Sequence, residues 1–391
     1  MSVRVAYSTT ARSDYGPSYW LIHDLLADGR FDTRLLVGGS HLSPRHGMTV
    51  REIEQDGWPI AARLPFLEEG DDAESFGRSC GRALAAYTEK FVELQPDVAV
   101  VYGDRLELLP IVTAAVITRT PVAHLCGGDV TGGAFDEQVR HAVTKMAHLH
   151  FPSSERSAAR ILQMGEEPWR VHNVGDPALD HFVRGECASA GELAALLGFV
   201  PDRTTLLVTF HPVTLEAEDM PRQAAELAAA LEQYAGPVVL TAPAPDPGSG
   251  PIRRELERLA AARPQTVFVE SLGSRRYRGL LRLVGAMVGN SSSGLNEAPC
   301  VPLPAVNIGN RQRGRDRAAN VVDVSPERSA IRHGIADALS AEFRASLARG
   351  SSPYGDGCTA PRVLDVLAAS SSRQRLLGKQ FCAPAGSEAA G

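Results

Sequence analysis

Lysine is almost missing from this chain: Lys90, Lys145 and Lys379 are its only lysines, and arginine supplies the rest of the 40 basic residues. None of the three follows the glycine spacing of a phosphate-cradling GxxxxGK[ST] loop, which excludes a Walker-type nucleotide site. Paired cysteines are missing as well. Cys80, Cys126, Cys187, Cys300, Cys358 and Cys382 form no CxxC, and the nearest two stand 24 residues apart. Neither a zinc framework nor a compact disulfide set follows from that spacing, and free thiols are expected. No apolar run approaches the roughly 18 residues of a membrane-spanning helix. The opening MSVRVAYSTTARSDYG lacks a basic stretch before a long apolar core, so no signal peptide is expected and the default location is cytoplasmic. A net charge of -6 argues against a general nucleic-acid binder and leaves a small-molecule partner.

Two catalytic patterns also fail. The run Gly289-Asn290-Ser291-Ser292-Ser293-Gly294 is one residue too long for the GxSxG nucleophile elbow. His141, His148 and His150 lack a third ligand at a recognisable spacing, so no metal is expected.

What is present is an ordinary globular composition, 44% hydrophobic and 22% charged, over 391 residues, enough for two domains with separate cores. Apolar runs predict strands at 3–7, 35–37, 98–102, 122–125 and 148–151, alternating with helices at 18–26, 76–94, 106–117 and 136–146. That βαβα alternation is the signature of a parallel sheet. The pattern loosens over 176–198, and a second set follows: strands at 206–210, 238–241, 267–269, 284–289 and 303–308, with helices at 222–231, 252–262 and 276–283. The expected architecture is α/β, with two Rossmann-like doubly wound domains over 1–185 and 186–358. Residues 359–391 are expected to form a helix at 360–369, able to pack back on the N-terminal domain, and a frayed tail from Ser370.

The stretch Val284–Arg315 carries the strongest chemical signal. A small apolar strand ends at Gly289, and Asn290, Ser291, Ser292 and Ser293 then offer hydroxyls and free N–H groups at an expected helix start, which suits an anion. Glu297 lies at the reach of ribose hydroxyls, and Arg311, Arg313 and Arg315 follow the next strand, where guanidinium forks suit phosphate. Together they read as a grip on a nucleoside diphosphate.

Ligands of doubly wound sheets sit beyond the carboxyl ends of strands, which directs attention to four further loops. These carry Arg12, Ser13, Asp14 and Tyr15; Gly103, Asp104 and Arg105; Cys126, Gly127, Gly128 and Asp129; and His211-Pro212. Asp104 reads equally as a helix cap paired with Glu107 three residues on. His211 reads as a satisfied loop histidine or, aimed by Pro212, as a phosphate contact or acid.

RSDYG at 12–16, GDRLE at 103–107, AHLCGGDVTGGAFDEQVRHAVTKMAHLHF at 123–151, QMGEEPWRVHNVGDPALD at 163–180, HPVT at 211–214, GNSSSGLNEAP and NIGNRQRGR occur in order. In these motifs the chain resembles the hydrolysing UDP-N-acetylglucosamine 2-epimerases, especially the branch feeding sialic and related nonulosonic acids, over residues 3–365. The resemblance implies a GT-B-like fold with an interdomain cleft, a nucleotide-sugar substrate, no cofactor and no metal, and a homodimer. It implies loss of the C2 proton and of UDP to give a 2-acetamidoglycal, then water addition with inversion at C2, releasing N-acetylmannosamine. Acid and base roles fall on Asp104 and Asp136, and ligand contact on Arg105 and His211. Arg12, Gly16, His124, Arg140, His141 and Asp246 occupy substrate-facing motif positions beside Ser291, Ser292, Ser293, Glu297 and Arg311.

Two departures stand out. Many members of the family carry a catalytic glutamate where this chain has Cys126, and a thiol of ordinary pKa near 8.5 is a poor substitute unless Asp129 compensates. Ala244 replaces an Asn common in such loops, which leaves the nucleotide base open between UDP and GDP. A 2,4-diacetamido sugar is an open alternative to N-acetylglucosamine. A nucleotide-sugar hydrolase, a glycosyltransferase on the same scaffold and a catalytically silent binder are the competing readings.

Overall fold

A computed structural model describes residues 2–68, 70, 72–130, 136–243, 248–347, 352–370 and 372–383. The chain forms two compact units. One contains the described residues up to Val130, from Asp136 to His181 and from Gly357 onward; the other spans Phe182–Asp356.

The first unit holds a six-stranded sheet of β1 (Val3–Thr9), β2 (Phe31–Gly38), β3 (Ile60–Leu64), β4 (Val98–Tyr102), β5 (Val122–Leu125) and β6 (Leu149–Phe151), in the order β3-β2-β1-β4-β5-β6. Every pair is parallel, with Val3 opposite Phe31 and Tyr7 opposite Val100. Both faces are covered. Val5, Tyr7 and Val100 pack with Leu21, Ile22 and Val363, whereas Ala6, Ala99 and Val101 pack with Tyr87, Phe91 and Ile111. Alternate residues of one strand thus feed two cores, which is why the central strands read as continuous apolar runs.

The second unit repeats the design with β7 (Leu206–Thr209), β8 (Val238–Thr241), β9 (Thr266–Val269), β10 (Ala286–Gly289), β11 (Ala305–Ile308) and β12 (Val321–Val324), in the order β12-β11-β10-β7-β8-β9. All its pairs are parallel. Leu206 and Val208 face Leu227, Leu231 and Ile335, while Leu207 and Val239 face Leu193 and Leu280.

Several local expectations need correction. The first helix runs Arg12–Ala27, absorbing residues expected to form a polar loop, because the Asp14 carboxylate turns back onto the main chain of Thr10 and Ala11. The short helix expected after β10 is present, as a single turn Ser293–Asn296 followed by a 3-10 turn at Ala298–Cys300. The edge strands β3 and β12 were not anticipated, nor was the helix Arg328–Leu339.

The expected frayed tail is held down as far as Ala383. After the helix Arg373–Leu377, the Lys379 ammonium lies 2.7 Å from Glu166 Oε2, and Cys382 N–H donates to Gly165 O at 2.9 Å. Glu166 is wholly buried and also meets Lys145 at 2.8 Å and His150 at 2.9 Å. Burial raises the Glu166 carboxyl, but its bonds to His150, Lys145 and Lys379 more than offset this and bring it down to about 2. Fully buried Arg170 donates to Leu376 O at 2.9 Å, and the Trp169 ring carries the guanidinium of Arg170 at 4.2 Å and that of Arg375 at 4.0 Å.

Lys379→Met is expected to lower stability by about 2 kcal/mol at pH 7, since it strips one donor from a buried carboxylate. A carboxyl depressed on folding stabilises above its unfolded pKa. The deficit should therefore shrink as pH falls from 4.5 towards about 2, as read by urea unfolding across that range.

Candidate functional site

In each sheet the strand order reverses at one place, between β1 and β4 in the first unit and between β7 and β10 in the second. Loops leave such a point in opposite directions, so it is where a doubly wound sheet has room for a ligand.

In the second unit this point gathers His211, Asn290 and Arg311. Asn290, 1% exposed, is bonded by its side chain to the main chain of His211: His211 N–H donates to Oδ1 at 2.7 Å, and Nδ2 donates to His211 O at 2.8 Å. Arg311 Nη1 donates to Asn290 O at 3.2 Å, and Gln312 Nε2 to the same oxygen at 2.8 Å. Burial and then the nearby Arg311 charge push the His211 imidazole down to about 4, so at neutral pH it is an uncharged ring that can donate one N–H. Ser291 and Ser292 are half-buried at the start of the single helical turn. Ser293 is turned inward, its Oγ accepting from Tyr277 OH at 2.5 Å, and so braces the loop. Glu297 closes the turn, and its charge helps burial raise the Tyr277 phenol. Asp246 and Ala244 lie outside the described residues.

In the first unit, Asp14 is a scaffold residue. Thr10 N–H donates to its Oδ2 at 2.9 Å and Thr10 Oγ1 at 2.8 Å, while Thr9 Oγ1 donates to Oδ1. Burial raises this carboxyl, but bonds from His41, Thr9 and the Thr10 main chain outweigh it and leave it below the ordinary value. Arg12 opens the helix, its side chain 59% exposed and 3.8 Å from Glu52. Gly16 has open space where a Cβ would point, and its carbonyl accepts from His181 Nε2 at 2.8 Å.

After β4, the helix starts at Leu108 with Glu107 at the cap position, so Asp104 is not the cap. Its Oδ2 accepts instead from Arg140 Nη2 on the helix Asp136–Met146. Arg105 Nη2 donates to Glu107 Oε1 at 2.7 Å. Burial lowers the Arg105 guanidinium, but the charges of Glu107, Asp14 and Asp136 more than restore it, which sets Asp136 in the same neighbourhood. His141 sits one turn from Glu137 at 3.7 Å.

His124, expected to face substrate, is fully buried with both ring nitrogens engaged, Nε2 donating to Gly103 O at 2.7 Å and Nδ1 accepting from Thr144 Oγ1 at 3.1 Å. It fixes the turn that carries Asp104. Burial brings it down to about 4. Cys126 lies at φ 58 and is 7% exposed; burial, then the charges of Asp176 and Asp129, push its thiol up. Asp129 accepts from Ser153 Oγ at 3.1 Å and from Ser157 Oγ.

Sequence reasoning placed Asn290 at the helix start without its bonds to His211, and did not single out Gln312, His41 or His181. The one available signal was a polar amide placed between an apolar strand and a serine run.

Two doubly wound units of this kind make up a GT-B-like fold. The fold is shared with the crystal structure of UDP-GlcNAc 2-epimerase from Neisseria meningitidis bound to UDP-GlcNAc, at TM-score 0.73 and 16% identity, covering 94% of this chain and 100% of that one. Residues 23–368 match the family model described as UDP-N-acetylglucosamine 2-epimerase, and the chain belongs to that family. It is 34% identical over 305 residues to the GDP/UDP-N,N'-diacetylbacillosamine 2-epimerase (hydrolyzing) of Campylobacter jejuni, covering 78% of this chain and 79% of the relative. It is 32% identical over 376 residues to the UDP-N,N'-diacetylbacillosamine 2-epimerase (hydrolyzing) of Legionella pneumophila, covering 96% and 98%.

An unfolded histidine titrates near 6.5, so below that pH the unfolded chain takes up a proton that buried His124 refuses until about pH 4. Stability therefore falls as pH drops through this window, by up to about 1.4 kcal/mol per unit for one such residue. His124→Gln should flatten the slope of unfolding free energy against pH between 6.5 and 4, as measured by urea titration.

Proposed function

We propose that this chain is a hydrolysing 2-epimerase of a UDP-linked 2,4-diacetamido hexose, releasing the free manno-configured sugar and UDP. The observation that carries the substrate is the match, across 96% of the chain, to a relative named for that activity. The neutral His211 ring, Arg311 and the Ser291–Ser292 turn supply what a departing diphosphate needs: fixed positive charge and donors already in place. Ser293 supports that turn, while Glu297 and Asp246 hold the nucleoside.

The first unit contributes the carboxylates. A base among Asp104, Asp136 and Asp129 takes the C2 proton as the C1–O bond breaks and its electron pair leaves with UDP, giving a 2-acetamidoglycal. Water then adds hydroxyl at C1 and a proton returns to C2 from the opposite face. Arg140 fixes the Asp104 carboxylate, and Arg12, Gly16, Arg105 and His141 serve as ligand contacts. His124 acts through the Gly103 carbonyl, and Cys126, its thiol pushed up by burial, lies in the same strand-end loop as Asp129. The family resemblance supports a cytoplasmic homodimer.

Proton NMR in heavy water tests this reading, with UDP-N-acetylglucosamine and its 2,4-diacetamido counterpart offered separately. Deuterium at C2 of a released manno sugar, faster with the diacetamido substrate, is expected. Nucleotide release with C2 still protonated would mean plain hydrolysis, and a preference for UDP-N-acetylglucosamine would overturn the substrate assignment. Asp104→Asn should keep UDP affinity and lose turnover by about 10²–10⁴-fold. Arg311→Ala should chiefly weaken UDP binding, by about 10–100-fold, as read by calorimetry.

A further inference from the structure

Asn290 has no part in the chemistry above, yet three strand-end loops meet on it. Its amide bonds both main-chain groups of a single residue, His211, accepting from the N–H at 2.7 Å and donating to the carbonyl at 2.8 Å. Two bonds to one residue restrict both of its backbone torsions, and Pro212 restricts the torsion that follows. The side chain of residue 211 therefore has one direction of departure from the main chain.

Asn290 cannot drift from this position. Gly289 before it lies at φ 138, where a Cβ would fall 1.9 Å from Thr209 O, so β10 ends pressed against β7. Asn290 N–H donates to that same Thr209 oxygen at 3.2 Å. Its carbonyl collects the third loop, taking Arg311 Nη1 at 3.2 Å and Gln312 Nε2 at 2.8 Å. Gln312 is 1% exposed, so its bond to that oxygen is made inside the protein.

We propose that Asn290 is the positioning residue of the diphosphate site: its amide fixes the His211 main chain, and thereby aims the imidazole, at the phosphate that Arg311 addresses. The inference rests on the reading of His211 and Arg311 as diphosphate ligands. A residue that merely braces the loops would weaken the site whether or not His211 carried a ring. One that acts through the ring has nothing left to contribute once the ring is gone.

A double-mutant cycle on UDP affinity separates the two, with calorimetry on wild type, Asn290→Ala, His211→Ala and the double variant, each checked for a cooperative thermal transition. Asn290→Ala is expected to weaken UDP binding about tenfold in the wild-type background and to add nothing in the His211→Ala background. Asn290→Ser, closer in volume and polarity, takes its place if the alanine variant does not fold. Losses that multiply, or an Asn290 variant that binds UDP like wild type, overturn the inference and leave His211 as a ligand. Undiminished binding by His211→Ala alone removes His211 from the site and the inference with it.

Discussion

Parallel pairing is the constraint from which the rest of this molecule follows. A strand paired in parallel with its neighbour must be re-entered from the same end, so each connection crosses back over a face of the sheet and every strand finishes at one edge. Both sheets obey this without exception among the described strands, and both reverse their order of strand addition once. Residues far apart in the chain are thereby made neighbours: β1 ends beside β4, bringing the Asp14 turn near Arg105, and β7 ends beside β10, bringing His211 onto Asn290. Chemistry collects at these edges because the sheet leaves its loop ends there.

Buried polar side chains then hold the loops still. Asp14, His124 and Asn290 are each under 4% exposed, and each hydrogen-bonds main-chain groups of a strand-end turn. Such groups are tolerated inside a protein only when their bonding capacity is met, and meeting it with main chain converts a side chain into a clamp on a turn. The turns that carry Asp104 and His211 are thus held by buried side chains. His124 illustrates the division: it occupies a motif position yet works through the carbonyl of Gly103.

Legibility in the sequence tracked burial. The central strands announced themselves because a strand covered on both faces is apolar at every position, as in Val98–Tyr102. The edge strands β3 and β12 did not, since half-exposed positions such as those of Val321–Val324 carry no continuous apolar run. The start of the Arg12 helix was hidden because its cap comes from Asp14 folding backwards. Residues 372–383 looked unstructured because the stretch from Ser370 is small and polar in composition, while their anchors, Glu166 and Arg170, lie some two hundred positions earlier. The same holds for the site. Ser291, Arg311, Asp104 and His211 were legible as polar residues at strand ends. Asn290 was legible as one of these, but its bonds to His211 were not, because that partner lies 79 positions away.

The interleaving of the two units has a consequence for how the molecule is made. Residues from Gly357 onward belong to the first unit, yet the ribosome adds them only after the whole of Phe182–Asp356. The unit that begins first therefore cannot finish first. At roughly 5–20 residues per second its sheet waits on the order of tens of seconds for the helix Thr359–Ala369 that covers Leu21, Ile22 and Tyr7. During that interval the apolar face formed by these residues has no helix to cover it.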